Sequence, residues 1–446
     1  MHGDTASPPP GGLALSSILW FWLPLAATWL MMAAEGPYVA AIIARMPDAA
    51  YNLAAYGVAF SLAWLVESPI MMLLTASNAL VSDRPSFLEL RRFTYRMNAA
   101  VTAVMLVAIL PPVFRVITGS LMGLPPEVAR LVHAATAILV PWPAAIGYRR
   151  FYQGIMVRHG QARRVAYGTV LRLATMSITA AALALASPLH GASIGATALA
   201  AGVLVEAVAS RVMARKAVAA LPVPAPGAGA PLTQRAIVRF YYPLALTSII
   251  SLVTGPLLTF FMGRSRHPIE SLAVLPVVQS LVFLFRSGGV AFQEVGVALI
   301  GRSGEHRREV AHALRLLAWG ASIVLAGVLF TPLAHVWFQR VSGLPSDLAD
   351  FALLPARILV LLPAMEYWLS YQRSRFILSG QTRVITAATA LEVGGIALVL
   401  AACIGWLGMI GAVAGSLAQI SGRLASNLFL FTASRSTRAP GTDTNG

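Results

Sequence analysis

The chain has 446 residues, 57% of them hydrophobic, with 11% charged and a mean hydropathy of +0.73. Soluble domains carry about 25% charged residues, so two or three water-soluble domains of this total length are excluded. The remaining class is an all-α polytopic membrane protein, in which each backbone N–H and C=O is satisfied within its own helix. The net charge of +16 does not indicate a nucleic-acid partner. The basic residues are mostly single Arg between apolar runs, with no dense tract interleaved with aromatics. Cys403 is the only cysteine, which rules out an intrachain disulfide and a Cys-based metal site.

In chain order, residues 1–14 are polar and rich in Pro and Gly, and are expected to form a disordered tail. Twelve apolar runs follow, at 15–43, 51–77, 97–118, 127–155, 165–187, 192–214, 237–262, 269–300, 311–333, 347–378, 384–404 and 407–432. Each is long enough to cross about 30 Å of hydrocarbon. The Pro/Gly/Ala-rich stretch 221–235 separates an N-lobe (15–220) from a C-lobe (236–433), and 434–446 forms a second polar tail. The first run has neither a basic flank before it nor a small-residue cleavage site, so it does not read as a signal peptide.

The loops give an orientation. With the N-terminus inside, the inner loops hold Arg84, Arg91, Arg92, Arg96, Arg158, Arg163, Arg164, Arg302, Arg307 and Arg308 among others, whereas the outer ones hold only Arg45, Arg115, Arg130, Arg264, Arg266 and Arg340. The positive-inside rule then places both termini in the cytoplasm, with the chain in the inner or plasma membrane.

The two halves repeat. FWLPLAAT (21–28) aligns with FYYPLALT (240–247); at the same spacing Gly36-Pro37 falls on Gly255-Pro256, Arg45 on Arg264, and SLAWLVES (61–68) on SLVFLFRS (280–287). One residue further out of step, LPPEVA (124–129) matches LPSDLA (344–349) and Pro143 matches Pro363. Repeats of six spans share one orientation, so two parallel six-helix units about an axis along the membrane normal are expected, enclosing a central cavity. Pro37 and Pro256 each remove a helical hydrogen bond, so both leading helices should be broken there.

Charged residues inside the spans are the functional signal, because each costs roughly 2.5–3.5 kcal/mol at a helix centre. Six acids lie there: Glu35, Glu67, Glu206, Glu294, Glu366 and Glu392. Arg149, Arg150, Arg172, Arg286, Arg357 and Arg423 lie inside spans or near their ends. Arg172, Glu206 and Arg423 fall near span ends, where snorkelling gives them structural roles. Arg149 and Arg150 are as compatible with a topology signal as with a site. Glu35 precedes the Gly-Pro break, where freed backbone and water favour function. Glu67 and Arg286 are repeat-equivalent and could pair across the lobes or locally. Arg357 lies about 15 Å into its span, and its forked guanidinium suits a carboxylate or phosphate. Glu366, nine residues on, faces away from it on an ideal helix. Glu294 and Glu392 fit proton relay or structural pairing equally. Soluble-enzyme motifs are absent, so enzymatic turnover is not expected.

Twelve spans in two parallel repeats, each opening with a Pro-containing helix, resemble the multidrug/oligosaccharidyl-lipid/polysaccharide exporter (MATE-like) superfamily. Three stretches are similar to the progressive ankylosis family: Glu35 through AAYGVAFSL (54–62), FYYPLAL (240–246), and LLPARILVLLP (353–363). That resemblance implies export of small anions, such as pyrophosphate, nucleotides or citrate. It places Glu35 at an acidic position of the family and Arg357 in a Pro-x-Arg-Ile block. The chain departs from the pattern at Glu67 and around Arg286.

The expectation is therefore a monomeric secondary transporter exporting a small anion by alternating access, without a cofactor, and with its coupling ion (H⁺ or Na⁺) unassigned. Its candidate substrate-site residues are Arg357, Arg286, Glu35, Glu67, Glu294, Glu366 and Arg150. A MATE-type cation/drug–proton antiporter, a lipid-linked precursor flippase and a non-transporting scaffold are the alternatives.

Overall fold

The computed structural model describes residues 13–159, 161–223, 232–300, 306–379 and 381–436. The two expected tails beyond these limits, most of the linker and Arg302 lie outside them. Among the described residues the chain is helical throughout. The helices are α1 (Leu15–Ala44), α2 (Ala49–Leu80), α3 (Arg84–Ala108 with Pro111–Leu121), α4 (Pro126–Arg158), α5 (Arg163–Ala186) and α6 (Gly191–Ala219). The second half has α7 (Gln234–Leu252 with Thr254–Met262), α8 (Pro268–Ile300), α9 (Arg307–Leu329), α10 (Ser346–Leu378), α11 (Arg383–Trp406) and α12 (Gly411–Ser436). Among the described residues nine helices are long and apolar enough to cross a membrane, ten with the bent α3 counted as one. The other two, α7 and α12, pack within the same bundle, and α7 has only a shorter apolar stretch, Ser248–Met262.

Prolines set the interruptions, each by depriving the carbonyl four residues earlier of its donor. α1 breaks at Ala34, ahead of Pro37, and α7 at Val253, ahead of Pro256. α10 tightens to a 3₁₀ turn over Leu359–Leu361, ahead of Pro363. α3 bends by 68° before Pro111-Pro112. It also begins well before the apolar run at 97: Asp83 caps Arg84 onward, accepting from Ser86 N at 2.8 Å while the Ser86 hydroxyl takes the Asp83 N–H. That capping box starts an amphipathic segment too polar to register as a span. α3 ends in a π-helical turn, Val116–Leu121, and the chain after α9 does the same at Val336–Val341.

Contacts between the halves come in exchanged pairs, as an isologous interface requires. Gly36 of α1 faces Ser280 of α8, and Gly255 of α7 faces Ser61 of α2. Trp22 donates to the Gly288 carbonyl at 2.9 Å, and Tyr241 to the Pro69 carbonyl at 2.5 Å. Each pair maps onto the other at the spacing that aligns the sequences. Gly57 meets Pro276, its own repeat partner, at the α2–α8 crossing, which puts the pseudo-axis there. Within each half the rule also holds. Asn52 accepts from Ala192 N at 3.0 Å and Ser271 from Ala412 N at 3.1 Å, so α2 and α8 supply a first-turn cap to α6 and α12.

At the end of the bundle opposite the chain termini, two exposed arginines cross between the halves. Arg45 Nη2 donates to the carbonyls of Arg340 (2.5 Å) and Val341 (2.9 Å), and Arg264 Nη2 to the carbonyl of Ser120. All three acceptors lie on the π-helical turns. Gly343, at φ +75°, lets the chain pass Arg45, and Gly123, at φ +67°, does so beside Arg264, a conformation that favours glycine.

Candidate functional site

Buried charge gathers into one network per half. In the N-terminal half, Glu206 of α6 is fully buried. It accepts from Arg149 Nη1 at 2.5 Å and from Gln153 Nε2 at 3.1 Å, both on α4. Arg172 Nε of α5 lies 3.3 Å from the same carboxylate, and its Nη2 pairs with Glu35 on α1. Glu67 of α2 and Arg150 of α4 complete the group electrostatically. Neither makes a hydrogen bond or ion pair with another described residue, and Arg150 Nε is buried without a partner. Three carboxylates thus face three guanidiniums.

In the C-terminal half, Glu366 of α10 is the hub. Its Oε2 accepts from Arg286 of α8 through Nε (3.0 Å) and Nη2 (2.5 Å), and from Arg423 Nη1 of α12. Arg423 Nε also donates to Glu392 of α11 at 2.8 Å. Arg373 of α10 lies in the field of all four. It donates to Thr389 Oγ1 at 3.1 Å, and its Nε is buried without a partner. Here three guanidiniums face two carboxylates, so the group is positive by one. Arg286 keeps 18% side-chain exposure, against 7% for Glu366.

Small residues permit these networks. A Cβ on Gly202 would lie 2.4 Å from Met176 Cγ and 3.2 Å from Arg172 Cγ, so α6 passes tightly over the arginine it serves. At the repeat-equivalent Gly422, a Cβ would meet Ile396 Cγ1 at 2.6 Å and the Glu392 carbonyl at 2.7 Å. Arg172 and Glu392 hold the same place in the two halves with opposite charge.

The expected site residues separate on this geometry. Glu35, Arg150 and Glu67 belong to the first group, and Glu366 and Arg286 to the second. Glu67 and Arg286 do not pair across the halves, because Arg286 is held by Glu366 within its own half. The two positions lie ten residues, about 15 Å, from the Gly57–Pro276 crossing, and any crossing angle separates the helices by that distance. Arg357 stands apart from both networks. Its Nε donates to the Leu329 carbonyl at 3.0 Å, closing the end of α9, and its guanidinium covers the Phe330 ring at 5.3 Å. The first half solves the same problem with His133, whose Nε2 lies 2.8 Å from the equivalent Ile109 carbonyl. Glu294 is exposed on α8, about two turns from Arg286 and about 80° around the helix from it.

Snorkelling is overturned for Arg172 and Glu206, both of which are buried. α6 extends to Ala219, placing Glu206 about 20 Å from that end. Arg423, Glu392 and Arg373 were not among the expected site residues. The signal for two of them was present in the repeat, since opposite charges at equivalent positions, Arg172 and Glu392, each demand a partner one helix away. Among the described residues no cluster of His, Cys, Asp and Glu could hold a metal ion. Among the described residues, a void of about 10 Å³ is walled by Gln279, Ser416 and Gln419, and a cleft of about 280 Å³ lies beside Arg308 and Glu309 at the terminal end.

No protein-family model matches the sequence, and no curated protein matches it. Solved structures do. An inward-facing multidrug resistance MATE family transporter of the MOP superfamily superposes with a TM-score of 0.72 at 15% identity, over 92% of this chain and 94% of that one. A MOP superfamily transporter from Pyrococcus furiosus, described as having a binding pocket of reverse polarity, gives 0.64 at 13% identity, over 96% and 97%. The lipid II flippase MurJ in an inward closed conformation gives 0.66 at 14% identity, over 94% and 87%. The chain is a multi-pass membrane protein with the MATE fold. Identities this low carry the fold and leave the chemistry to the site.

Proposed function

We propose that the protein is a secondary transporter that exports a small organic or phosphorylated anion, of the citrate, nucleotide or pyrophosphate class, by alternating access between two six-helix lobes joined by the linker 221–235. In this reading all twelve helices cross the plasma membrane, both termini are cytoplasmic, and the chain works as a monomer akin to the progressive ankylosis family. The observation that carries it is the excess of guanidinium in the second half: Arg286, Arg373 and Arg423 against Glu366 and Glu392. An unbalanced positive charge inside a membrane is expensive, and a bound anion offsets it. Arg286 and Arg423 are the anion contacts, Glu366 sits between them, and Glu294 lines the approach along α8. Glu35, Glu67 and Arg150 form the balanced second group, suited to gating. Arg357 is left out of the contact set because the Leu329 carbonyl and Phe330 ring already hold it.

Uptake of labelled citrate, pyrophosphate and ATP into proteoliposomes tests the reading. Arg286→Ala should lose at least about tenfold in initial rate, a loss of about 1.4 kcal/mol in transition-state stabilisation, whereas Arg357→Ala should stay within about twofold. Equal rates for wild type and Arg286→Ala would remove the anion site from the second half. Efflux of cationic dyes abolished by Glu35→Gln would favour the antiporter alternative, and scrambling of lipid diphosphates the flippase.

A further inference from the structure

We propose that the Glu366 carboxylate is an internal stand-in for the transported anion, occupying the Arg286–Arg423 fork until a substrate oxyanion displaces it. The proposal rests on the anion-export reading above and identifies what its site selects. One oxygen, Oε2, takes all three charged hydrogen bonds, two side-on from Arg286 and one from Arg423, while Oε1 has no hydrogen-bond partner among the described residues. A guanidinium that binds a carboxylate or phosphate bidentately places two parallel N–H···O bonds on two oxygens, whereas here Nε and Nη2 converge on one. Glu366 therefore underfills the fork, which an oxyanion offering two oxygens would fill.

Three further observations separate this from simple helix glue. First, the arrangement is not inherited from the repeat. The positions equivalent to Glu366, Arg286 and Arg423 are Ile146, Glu67 and Val203, so the first half packs the same helices without this acid or either arginine. Second, Glu366 follows a break in its helix. It lies one turn after the 3₁₀ segment Leu359–Leu361 and Pro363, and it abuts Gly289, where a Cβ would come within 3.1 Å of its Cγ. Third, the next residue reports to the other half. Tyr367 packs near Trp22 of α1, whose indole donates to the carbonyl of Gly288, two residues from Arg286. A shift of this turn is therefore felt by the leading helix.

Charge narrows the ligand. With Glu366 in place the group is positive by one. A displaced Glu366 stays on α10 and keeps its charge, so one further negative charge in the fork cancels the excess. The class that fits is a small anion offering a carboxylate or phosphate with two free oxygens to the fork.

The experiment is binding of pyrophosphate, and separately citrate, to the full-length protein in nanodiscs by isothermal titration. Glu366→Gln keeps the side-chain shape and removes the competing charge. Its affinity for the better of the two probes should rise about tenfold, because the fork is then free in nearly every molecule, and exchange transport should slow as release becomes limiting. An unchanged or weaker affinity in Glu366→Gln, with wild type binding and transporting the probe, overturns the stand-in and leaves the anion-export reading intact. Should Glu366→Gln not yield a monodisperse protein, Glu366→Asp decides. Its shorter reach should raise affinity by about two- to fivefold, and no rise overturns the proposal. Wild type that binds neither probe and moves neither across a bilayer overturns the export reading and the stand-in together.

Discussion

The two buried networks occupy comparable places in a duplicated fold and share one wiring, yet their charges stand at different positions and sum differently. In the first half, Glu206 shares Arg149 and Arg172, and Arg172 passes on to Glu35, so the loss of one arginine leaves the central acid another. In the second half Glu366 likewise shares Arg286 and Arg423, and Arg423 passes on to Glu392, but Arg373 adds a third guanidinium that no third acid matches. The contacts that shape the helices are conserved between the halves: Gly202 and Gly422 press onto the same turn of the neighbouring helix. The charges laid on that frame are not conserved, with Arg172 standing where Glu392 stands. Burying an ion pair rarely stabilises more than well-packed apolar side chains would. Reassigning charge on a fixed frame therefore points to selection for something other than folding.

The largest expected effect tests the wiring. Arg423→Leu leaves Glu392 without its arginine, and thermal denaturation in detergent should show a loss of about 3–5 kcal/mol. Arg149→Leu should cost less, because Arg172 still faces Glu206. Equal losses would mean that a bridging arginine holds its network no more firmly than a terminal one. Next come the glycines. Gly422→Ala drives a methyl against the Glu392 carbonyl, part of the backbone, whereas Gly202→Ala meets chiefly the side chain of Met176. Overpacking of this kind costs about 1–3 kcal/mol, and Gly422→Ala should sit at the upper end by the same assay. If Gly202→Ala proved the worse, the frame of the first half would be the more rigid.

The smallest effect lies outside the membrane. Asp83 caps α3, and the Ser86 backbone N–H holds its carboxyl below the usual aspartate range. A depressed folded-state value contributes stability above the unfolded value, and that contribution is lost as pH falls through the folded one. Asp83→Ala should cost about 1 kcal/mol at neutral pH. The difference from wild type should shrink on acidification, and a pH-independent difference would rule out the charged cap.

Much of this was legible before any coordinates. The repeat, the broken leading helices and the membrane class follow from Gly36-Pro37, Gly255-Pro256 and the apolar runs, because a proline and a hydrocarbon slab impose strong, local constraints. The partners of charged residues were not legible. Arg357 and Arg286 read alike as single arginines in apolar surroundings. One closes a helix end and the other meets a carboxylate, a difference set by rotation about the helix and by the neighbouring backbone. The early start of α3 was hidden because a capping box and an amphipathic turn leave hydropathy low. The partners of Arg423 became visible only when α11 and α12 were brought together at Gly422, which is thirty residues along the chain from Glu392 yet against its carbonyl.

The arginine pair at the far end has a mechanical consequence. Arg45 and Arg264 hold the halves together through main-chain oxygens, so these bolts can be removed by mutation only from the arginine side. Because both lie in exposed loops, drawing a bolt exchanges a protein acceptor for water, at about 1.5–3 kcal/mol for a charged donor. Two such bolts, related by symmetry, would be drawn together when the halves part. Their combined cost is a few kcal/mol, a modest energetic tie between the two halves at that end of the bundle.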